Sequence, residues 1–114
     1  MARRTPPPIP EKISVEIEVP QQVYDGITLL DKEAPTWWEA DPSDREPIDL
    51  IHLDLGSTDR CILGQIYGDY STGKHELGLT YGSDYGFDQF DDITDHELTG
   101  IWRSLIEYRR REAR

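Results

Sequence analysis

Cys61 is the one residue of this 114-residue chain that could act as a strong nucleophile. A cysteine becomes a reactive thiolate when a basic side chain such as histidine lies beside it. The chain has three histidines that could serve in this way, His52, His75 and His96. Cys61 is followed by Ile62 and Leu63, however, and a lone cysteine in apolar sequence is typical of a small core residue. The sequence therefore predicts a protein that is not an enzyme, with catalysis by Cys61 as the least favoured function.

A glycine-rich stretch supplies the second pattern that could do chemistry. Residues 68–74 match the phosphate-binding sequence G-x-x-x-x-G-K. Such a loop also needs a serine or threonine hydroxyl for magnesium at the next position, where this chain has His75. The match is incomplete, and we expect no nucleotide and no other cofactor. Tyr70, Lys74 and Tyr81 stand as candidate binding residues of a loop whose turns are held by aromatic packing.

The third pattern is a run of acidic residues near the carboxyl end. Residues 84–97 contain six acids and no base. Five of these acids make up the candidate partner-binding surface, namely Asp84, Asp88, Asp91, Asp92 and Asp95. A calcium loop requires D-x-D-x-D-G spacing with a glutamate at the twelfth position, and that spacing is missing. We therefore expect a solvated acidic face here and not a metal site.

The net charge of −11 is unevenly distributed along the chain. Seven of the 12 basic residues lie at the two ends, which leaves 5 basic against 21 acidic residues between Thr5 and Trp102, a net charge of −16. Such a field repels nucleic acid and anionic membranes and attracts basic protein surfaces. Acidity that serves only solubility is the alternative interpretation, and the sequence leaves it open.

Length and composition limit the architecture and the compartment. A chain of 114 residues fits one domain. No stretch approaches the roughly 18 uninterrupted apolar residues of a membrane span, and the amino terminus lacks the apolar run of a secretion signal. A single cysteine excludes an internal disulfide framework. These features predict a cytoplasmic protein that does not enter a membrane.

The first half of the chain is predicted to contain a tail, two strands and a helix. Residues 1–10 include four prolines and two arginines, which predicts a flexible tail ahead of a single globular domain over residues 11–114. Residues 13–19 alternate between apolar and polar side chains, which is the pattern of a half-buried strand. Apolar residues then recur at helical spacing over residues 20–33. Residues 48–55 alternate well enough to be the partner strand, with a helical turn as the alternative.

The second half is predicted to contain a short helix, a region of turns and a long terminal helix. The capping side chains at residues 56–59 favour a short helix that Gly68 ends. The six glycines of residues 64–86 predict turns with at most one helical turn near residues 75–79. Residues 94–97 form a capping box, followed by apolar residues at helical spacing to about residue 111. The predicted core consists of Trp37, Trp38, Ile62, Ile66, Leu98, Ile101, Trp102 and Leu105. The fold class is therefore α+β and helix-rich, a small domain with two or three helices and a minor β component.

Several of these residues, in their order, resemble a group of small uncharacterised acidic proteins of actinobacterial phages and prophages and of their hosts. The pattern consists chiefly of Pro35-x-Trp37-Trp38 and Cys61-Ile62-Leu63-Gly64-Gln65, within residues 27–109. The resemblance implies a phage-borne or prophage-like protein that works in the cytoplasm of a bacterial host. It implies no activity and no fold.

Together these features predict a non-enzymatic accessory protein that binds a host or phage protein and modulates it through the acidic surface. A DNA mimic is the first alternative, because acidic side chains can take the place of phosphates against a nucleic-acid-binding protein. A structural component of the virion is the second alternative. We expect no nucleic-acid partner, and the sequence does not identify the protein partner or the oligomeric state.

Overall fold

The longest helix begins where the capping box places it. The Thr94 hydroxyl accepts the Glu97 backbone N–H at 3.1 Å and lies 3.0 Å from the Glu97 carboxylate. Acidic residues occupy the first turn and three arginines the last, which complements the helix dipole. The helix runs over Asp95–Glu112, close to the predicted residues 94–111.

The structure, a computed structural model, describes residues 7–13 and 18–113. These residues form four α-helices and one short 3₁₀ helix. In chain order they are α1 (Gln21–Glu33), α2 (Ile62–Tyr67), α3 (Tyr70–Leu77), the 3₁₀ helix (Gly82–Tyr85) and α4 (Asp95–Glu112). None of the described helices is long and apolar enough to cross a membrane. The domain is thus helix-rich, with four α-helices in the described residues where two or three helices were predicted.

Helix α1 packs closely against the 3₁₀ helix at a glycine. Its buried face consists of Val23, Gly26, Ile27 and Leu30. A β carbon on Gly26 would lie 2.0 Å from the Tyr85 carbonyl oxygen. The absence of a side chain at Gly26 therefore permits the close approach of the two helices, at some cost in helix propensity.

The glycine-rich region is more helical than predicted. It was expected to form turns with at most one helical turn, but α3 extends for eight residues, over Tyr70–Leu77. Asp69 caps this helix by accepting the Thr72 N–H at 2.8 Å. Gly73 packs against Leu63 of α2, so that this glycine serves helix packing and not a turn. Gly68, with a φ of 102°, ends α2 as predicted.

The predicted β component is nearly absent from the described residues. Residues 48–55, predicted as a strand, are irregular, with a bend at residues 50–52, where the Asp49 carboxylate accepts the backbone N–H groups of Ile51 and His52 at 3.0 and 3.2 Å. Four residues of the other predicted strand, 14–17, lie outside the described residues. Beside them, Lys12 and Glu18 form an isolated antiparallel bridge. The prediction of a partner strand was therefore wrong. In the described residues the β component is limited to this one bridge.

Six of the eight predicted core residues are buried, and Trp102 lies at their centre. Its ring contacts Trp37 edge-on at 5.8 Å and stacks on Phe87 at 5.5 Å between centroids. Its indole N–H donates to the Gly86 carbonyl at 2.7 Å. The remaining two predicted core residues, Ile66 and Ile101, are half-buried.

Arginines of α4 hold the irregular segments against the helices. Arg103 donates to the carbonyls of Leu50 and Leu53 at 2.9 and 3.3 Å. Arg110 donates in the same way to carbonyls of Trp38, Glu39 and Ile48. These guanidinium groups satisfy backbone carbonyls that have no strand partner, and so they replace a sheet as the means of fixing the loops.

The segment before α1 is also bound to the domain. The Tyr24 hydroxyl donates to the Ile9 carbonyl at 3.0 Å, and Arg109 donates to the Pro7 carbonyl at 2.9 Å. The tail predicted over residues 1–10 therefore includes residues that contact the helices, whereas residues 1–6 lie outside the described residues.

Candidate functional site

The five aspartates of the predicted partner-binding surface lie in three separate clefts. Asp84 lines a cleft beside α1. Asp88 and Asp95 line a pocket beside α3, whereas Asp91 and Asp92 line a groove near Glu18. The acidic segment is thus one stretch of sequence that borders several concave surfaces.

The pocket beside α3 joins two of the predicted sets of residues. It has a volume of about 170 Å³ and is lined by residues 55–58 together with Tyr70, Asp88 and Asp95. We call it the Tyr70 pocket. The Tyr70 hydroxyl donates to the Asp88 carboxylate at 3.3 Å, and the Tyr70 backbone N–H donates to the Thr58 carbonyl at 2.7 Å. Tyr70, predicted as a loop residue, therefore positions the acidic residue Asp88 from the first turn of a helix.

The electrostatics of the Tyr70 pocket keep the phenol protonated. Burial, and then the negative charge of Asp88, raise the pKa of the Tyr70 hydroxyl to about 12. A protonated phenol can donate to the Asp88 carboxylate, whereas a phenolate would repel it. The neutral phenol is therefore the donor of the hydrogen bond between Tyr70 and Asp88.

Asp95 contributes a carboxylate oxygen that lacks a donor. Its Oδ1 is buried and has no hydrogen-bond partner among the described residues. Its Oδ2 lies close to Gly56, where a β carbon would approach to 2.9 Å. The same β carbon would lie 3.3 Å from the Asp54 carboxylate. Because Gly56 has no side chain, the carboxylates of Asp54 and Asp95 can both lie close to its backbone.

The chemistry of this pocket is that of a receptor for hydrogen-bond donors. Carboxylates are acceptors when ionised, and they bond most strongly to ammonium and guanidinium groups. Among the described residues, no three histidine, cysteine, aspartate or glutamate side chains are grouped so that they could hold a metal ion. The pocket suits the end of a lysine or arginine side chain by charge and by size. Sequence reasoning assigned residues 56–59 to helix capping and did not place them in a pocket.

The groove near Glu18 combines an acidic rim with apolar surface. Four carboxylate side chains line it, those of Glu18, Asp91, Asp92 and Glu97. Its apolar residues are Val19, Pro20, Phe90 and Ile93, of which Phe90 and Ile93 are half-buried and pack on the core. We call this feature the acidic groove. Asp91 has a φ of 50°, a left-handed conformation that aspartate and asparagine tolerate better than most residues.

The other two residues of the predicted loop have separate environments. Lys74 lies on helix α3, and its ammonium group is 5.4 Å from the centroid of the Tyr70 ring on the same helix. Tyr81 is 65% exposed and does not line the Tyr70 pocket. Because residues 70–77 are helical, the G-x-x-x-x-G-K sequence does not form the open loop that cradles phosphates. Tyr70 and Lys74 are therefore neighbours on helix α3, whereas Tyr81 lies beyond its end.

Cys61 has a structural position at the start of α2. It is 1% exposed, and its Sγ accepts the Gly64 N–H at 3.2 Å as the N-cap of the helix. Burial raises the pKa of the Cys61 thiol. His52 is exposed and pairs with Asp49 at 2.6 Å. The thiol is thus held in its less reactive protonated form.

The exposed acids of residues 84–97 are not neutralised by neighbouring bases. The described residues form four ion pairs, and none of them includes an acid of this segment. Asp88, Asp91 and Asp92 are exposed. Their charges are therefore available to a partner.

Comparison of the chain with protein-family models, with curated proteins and with solved structures finds no match. The resemblance to phage proteins thus stays a prediction.

Proposed function

We propose that this chain is a non-enzymatic accessory protein, of the phage-like kind that its sequence resembles, which binds a basic surface of a host or phage protein. The observation that carries the proposal is the division of charge in the fold. Arg103, Arg109 and Arg110 donate to groups inside the domain, while five of the six acids of residues 84–97 are exposed and all six lie outside the ion pairs of the described residues. The surface is consequently more acidic than the sequence composition indicates.

This division of charge favours a protein partner over nucleic acid. Nucleic-acid binding requires cationic side chains that reach phosphates, and the arginines of α4 that could do so are largely engaged with carbonyls. Exposed carboxylates attract basic patches and increase the rate of association with them. We place one lysine or arginine side chain of the partner in the Tyr70 pocket, against Asp88 and Asp95.

The test is affinity capture from an actinobacterial lysate with two variants that lose the same charge. Asp88→Asn with Asp95→Asn neutralises the Tyr70 pocket. Asp41→Asn with Glu46→Gln neutralises two exposed acids elsewhere and serves as the control. We expect the pocket variant to retain about one tenth or less of a partner that the control retains fully, because close charge pairs in interfaces contribute about 1.5 kcal/mol or more. Equal recovery by both variants, with unchanged melting temperatures, would contradict the proposal.

A DNA mimic is the narrower form of this proposal. The exposed, unpaired carboxylates of residues 84–97 support it, because a mimic must present negative charge that its own bases do not neutralise. The captured partner would then be a DNA-binding protein, and duplex DNA would release it from the immobilised chain. Retention of the partner in excess duplex DNA would exclude mimicry and leave the broader proposal intact.

A further inference from the structure

The acidic groove has the features of a docking surface for a particular kind of peptide. We propose that it binds a short segment of the partner in which an apolar side chain is flanked by lysine or arginine. This inference rests on the proposed function and adds to it the chemistry of the segment that is bound. It concerns a surface distinct from the Tyr70 pocket, although residues 88–97 contribute to both.

The apolar part of the groove supplies the reason for an apolar side chain. Phe90 and Ile93 are half-buried, so that part of each side chain rests on the core and part borders the groove. Pro20, half-buried ahead of α1, completes the apolar surface, and Val19 beside it is a core residue that is 8% exposed. The groove is open to solvent and has a volume of about 560 Å³. Covering this surface removes apolar area from water and favours binding.

The rim of the groove determines which charges can flank that side chain. Glu18, Asp91, Asp92 and Glu97 border it, and no lysine, arginine or histidine of the described residues lines it. Glu18 forms an ion pair with Lys12 at 3.6 Å, so the rim carboxylates outside the ion pairs of the described residues are those of Asp91, Asp92 and Glu97. Carboxylates on such a rim repel phosphates and acidic peptides and pair with ammonium or guanidinium groups. The complementary occupant is therefore a basic segment.

A second copy of the chain is a poorer occupant than a separate partner. Three of the arginines on α4, namely Arg103, Arg109 and Arg110, donate to groups of their own domain. A second copy would have to give up these bonds in order to present these three arginines to the groove, and its net charge of −11 would oppose its approach to an acidic rim. The separate partner needs no such rearrangement, because its basic residues are free to pair with the rim.

The charge of Asp91 can be removed by a substitution that leaves the backbone conformation unchanged. Its φ of 50° lies in the left-handed region, which asparagine occupies as readily as aspartate. Asp91→Asn with Asp92→Asn therefore removes two rim charges without new strain. Ile93→Thr keeps the β-branch but removes a methyl group and introduces a hydroxyl, which reduces the apolar surface. Asp41→Asn with Glu46→Gln again removes two charges far from the groove in sequence.

The experiment titrates three capped hexapeptides into the isotopically labelled full chain and follows amide chemical shifts. The first peptide alternates lysine and leucine, the second is hexalysine, and the third alternates glutamate and leucine. We expect the lysine–leucine peptide to shift the amides of Val19, Phe90 and Ile93 and to bind about ten-fold more tightly than hexalysine, as burial of a leucine side chain predicts. We expect the glutamate–leucine peptide to cause no shift.

The variants separate failure of this inference from failure of the proposed function. We expect Asp91→Asn with Asp92→Asn, and separately Ile93→Thr, to weaken the lysine–leucine peptide about ten-fold or more, while the distant control binds as wild type does. Equal binding of hexalysine and the lysine–leucine peptide, or shifts confined to other surfaces, would overturn the docking groove. The proposed function would survive that result if partner capture still depended on Asp88 and Asp95. The docking groove and the proposed function would both be overturned if neither basic peptide bound and if the pocket variant and its control captured the partner equally.

Discussion

Arg109 and Asp31 form a two-point ion pair that joins the end of α4 to the end of α1. The guanidinium nitrogens lie 2.7 and 3.0 Å from the two carboxylate oxygens. The Arg109 side chain is 4% exposed and that of Asp31 is 24% exposed. Asp31 also accepts the Trp37 indole N–H at 2.9 Å, and Arg109 also donates to the Pro7 carbonyl. This pair therefore connects two helices, a core tryptophan and the segment that precedes α1.

Removal of Arg109 is expected to destabilise the domain strongly. Arg109→Ala leaves the Asp31 carboxylate partly buried without its cation, and the loss of one partner of such a pair costs about 3 to 5 kcal/mol. Urea unfolding followed by tryptophan fluorescence measures this change. Arg111→Ala is the control, because Arg111 is exposed, and we expect it to alter the free energy of unfolding by less than about 0.5 kcal/mol. Similar losses in the two variants would contradict the importance of the pair.

Truncation of Trp102 is expected to have a comparable effect through the core. Trp102→Ala removes a fully buried ring that contacts Trp37 and Phe87, and such deletions cost about 3 to 5 kcal/mol. Trp102→Phe keeps most of the packing but leaves the Gly86 carbonyl without the indole donor, so we expect a smaller loss. Thermal unfolding of the two variants tests this order. An unchanged melting temperature in Trp102→Ala would contradict the central position of Trp102 in the core.

Two glycines inside helices are expected to respond to alanine in opposite directions. Gly26→Ala places a β carbon 2.0 Å from the Tyr85 carbonyl oxygen, and the necessary separation of α1 from the 3₁₀ helix should cost about 1 to 3 kcal/mol. Gly100→Ala meets no atom within 4 Å and should stabilise α4 by about 0.5 to 1 kcal/mol. Chemical denaturation of both variants gives the comparison. Stabilisation by Gly26→Ala would show that the two helices are not in close contact.

Tyr70 is expected to make the free energy of unfolding decrease at alkaline pH. Its pKa is raised to about 12 in the fold, against about 10 in an unfolded chain. The unfolded chain therefore loses this proton first as pH rises, and the contribution of the neutral phenol to stability is complete below about pH 10 and is lost between about pH 10 and 12. Tyr70→Phe should flatten the decline in unfolding free energy over that interval, whereas Tyr81→Phe, at an exposed position, should not. Parallel curves for wild type and Tyr70→Phe would contradict this assignment.

Helices were predicted most reliably where the sequence contains both spacing and a cap. The Thr94–Glu97 capping box and the apolar spacing that follows it mark the position of α4, and the same spacing after Pro20 marks α1. Helix α3 was underestimated, because its glycine indicates a turn when the sequence is considered alone. In the fold Gly73 faces Leu63, and the helix that it would weaken is supported by packing against α2.

The candidate site was predicted in part. Tyr70, Asp88 and Asp95 were each selected from the sequence, and the fold brings these three together in one pocket. Gly56, Ser57 and Thr58 were missed as pocket residues because their only local signal was that of a capping sequence. The groove residues Phe90 and Ile93 were missed because half-buried apolar residues between aspartates have no regular period.

The sequence alone determined the features that depend on neighbouring residues, namely the caps, the helical periods of α1 and α4, the burial of the tryptophans and the concentration of acid in residues 84–97. The tertiary structure decided which distant groups meet. Residues 48–55 alternate as a strand does, yet they are irregular, and there the Asp49 carboxylate and the Arg103 guanidinium satisfy backbone groups that a sheet would otherwise pair. The side chains of Arg103, Arg109 and Arg110 are likewise directed onto groups of their own domain. The acidic surface is thus a property of the sequence, whereas its exposure without neutralising bases is a property of the fold.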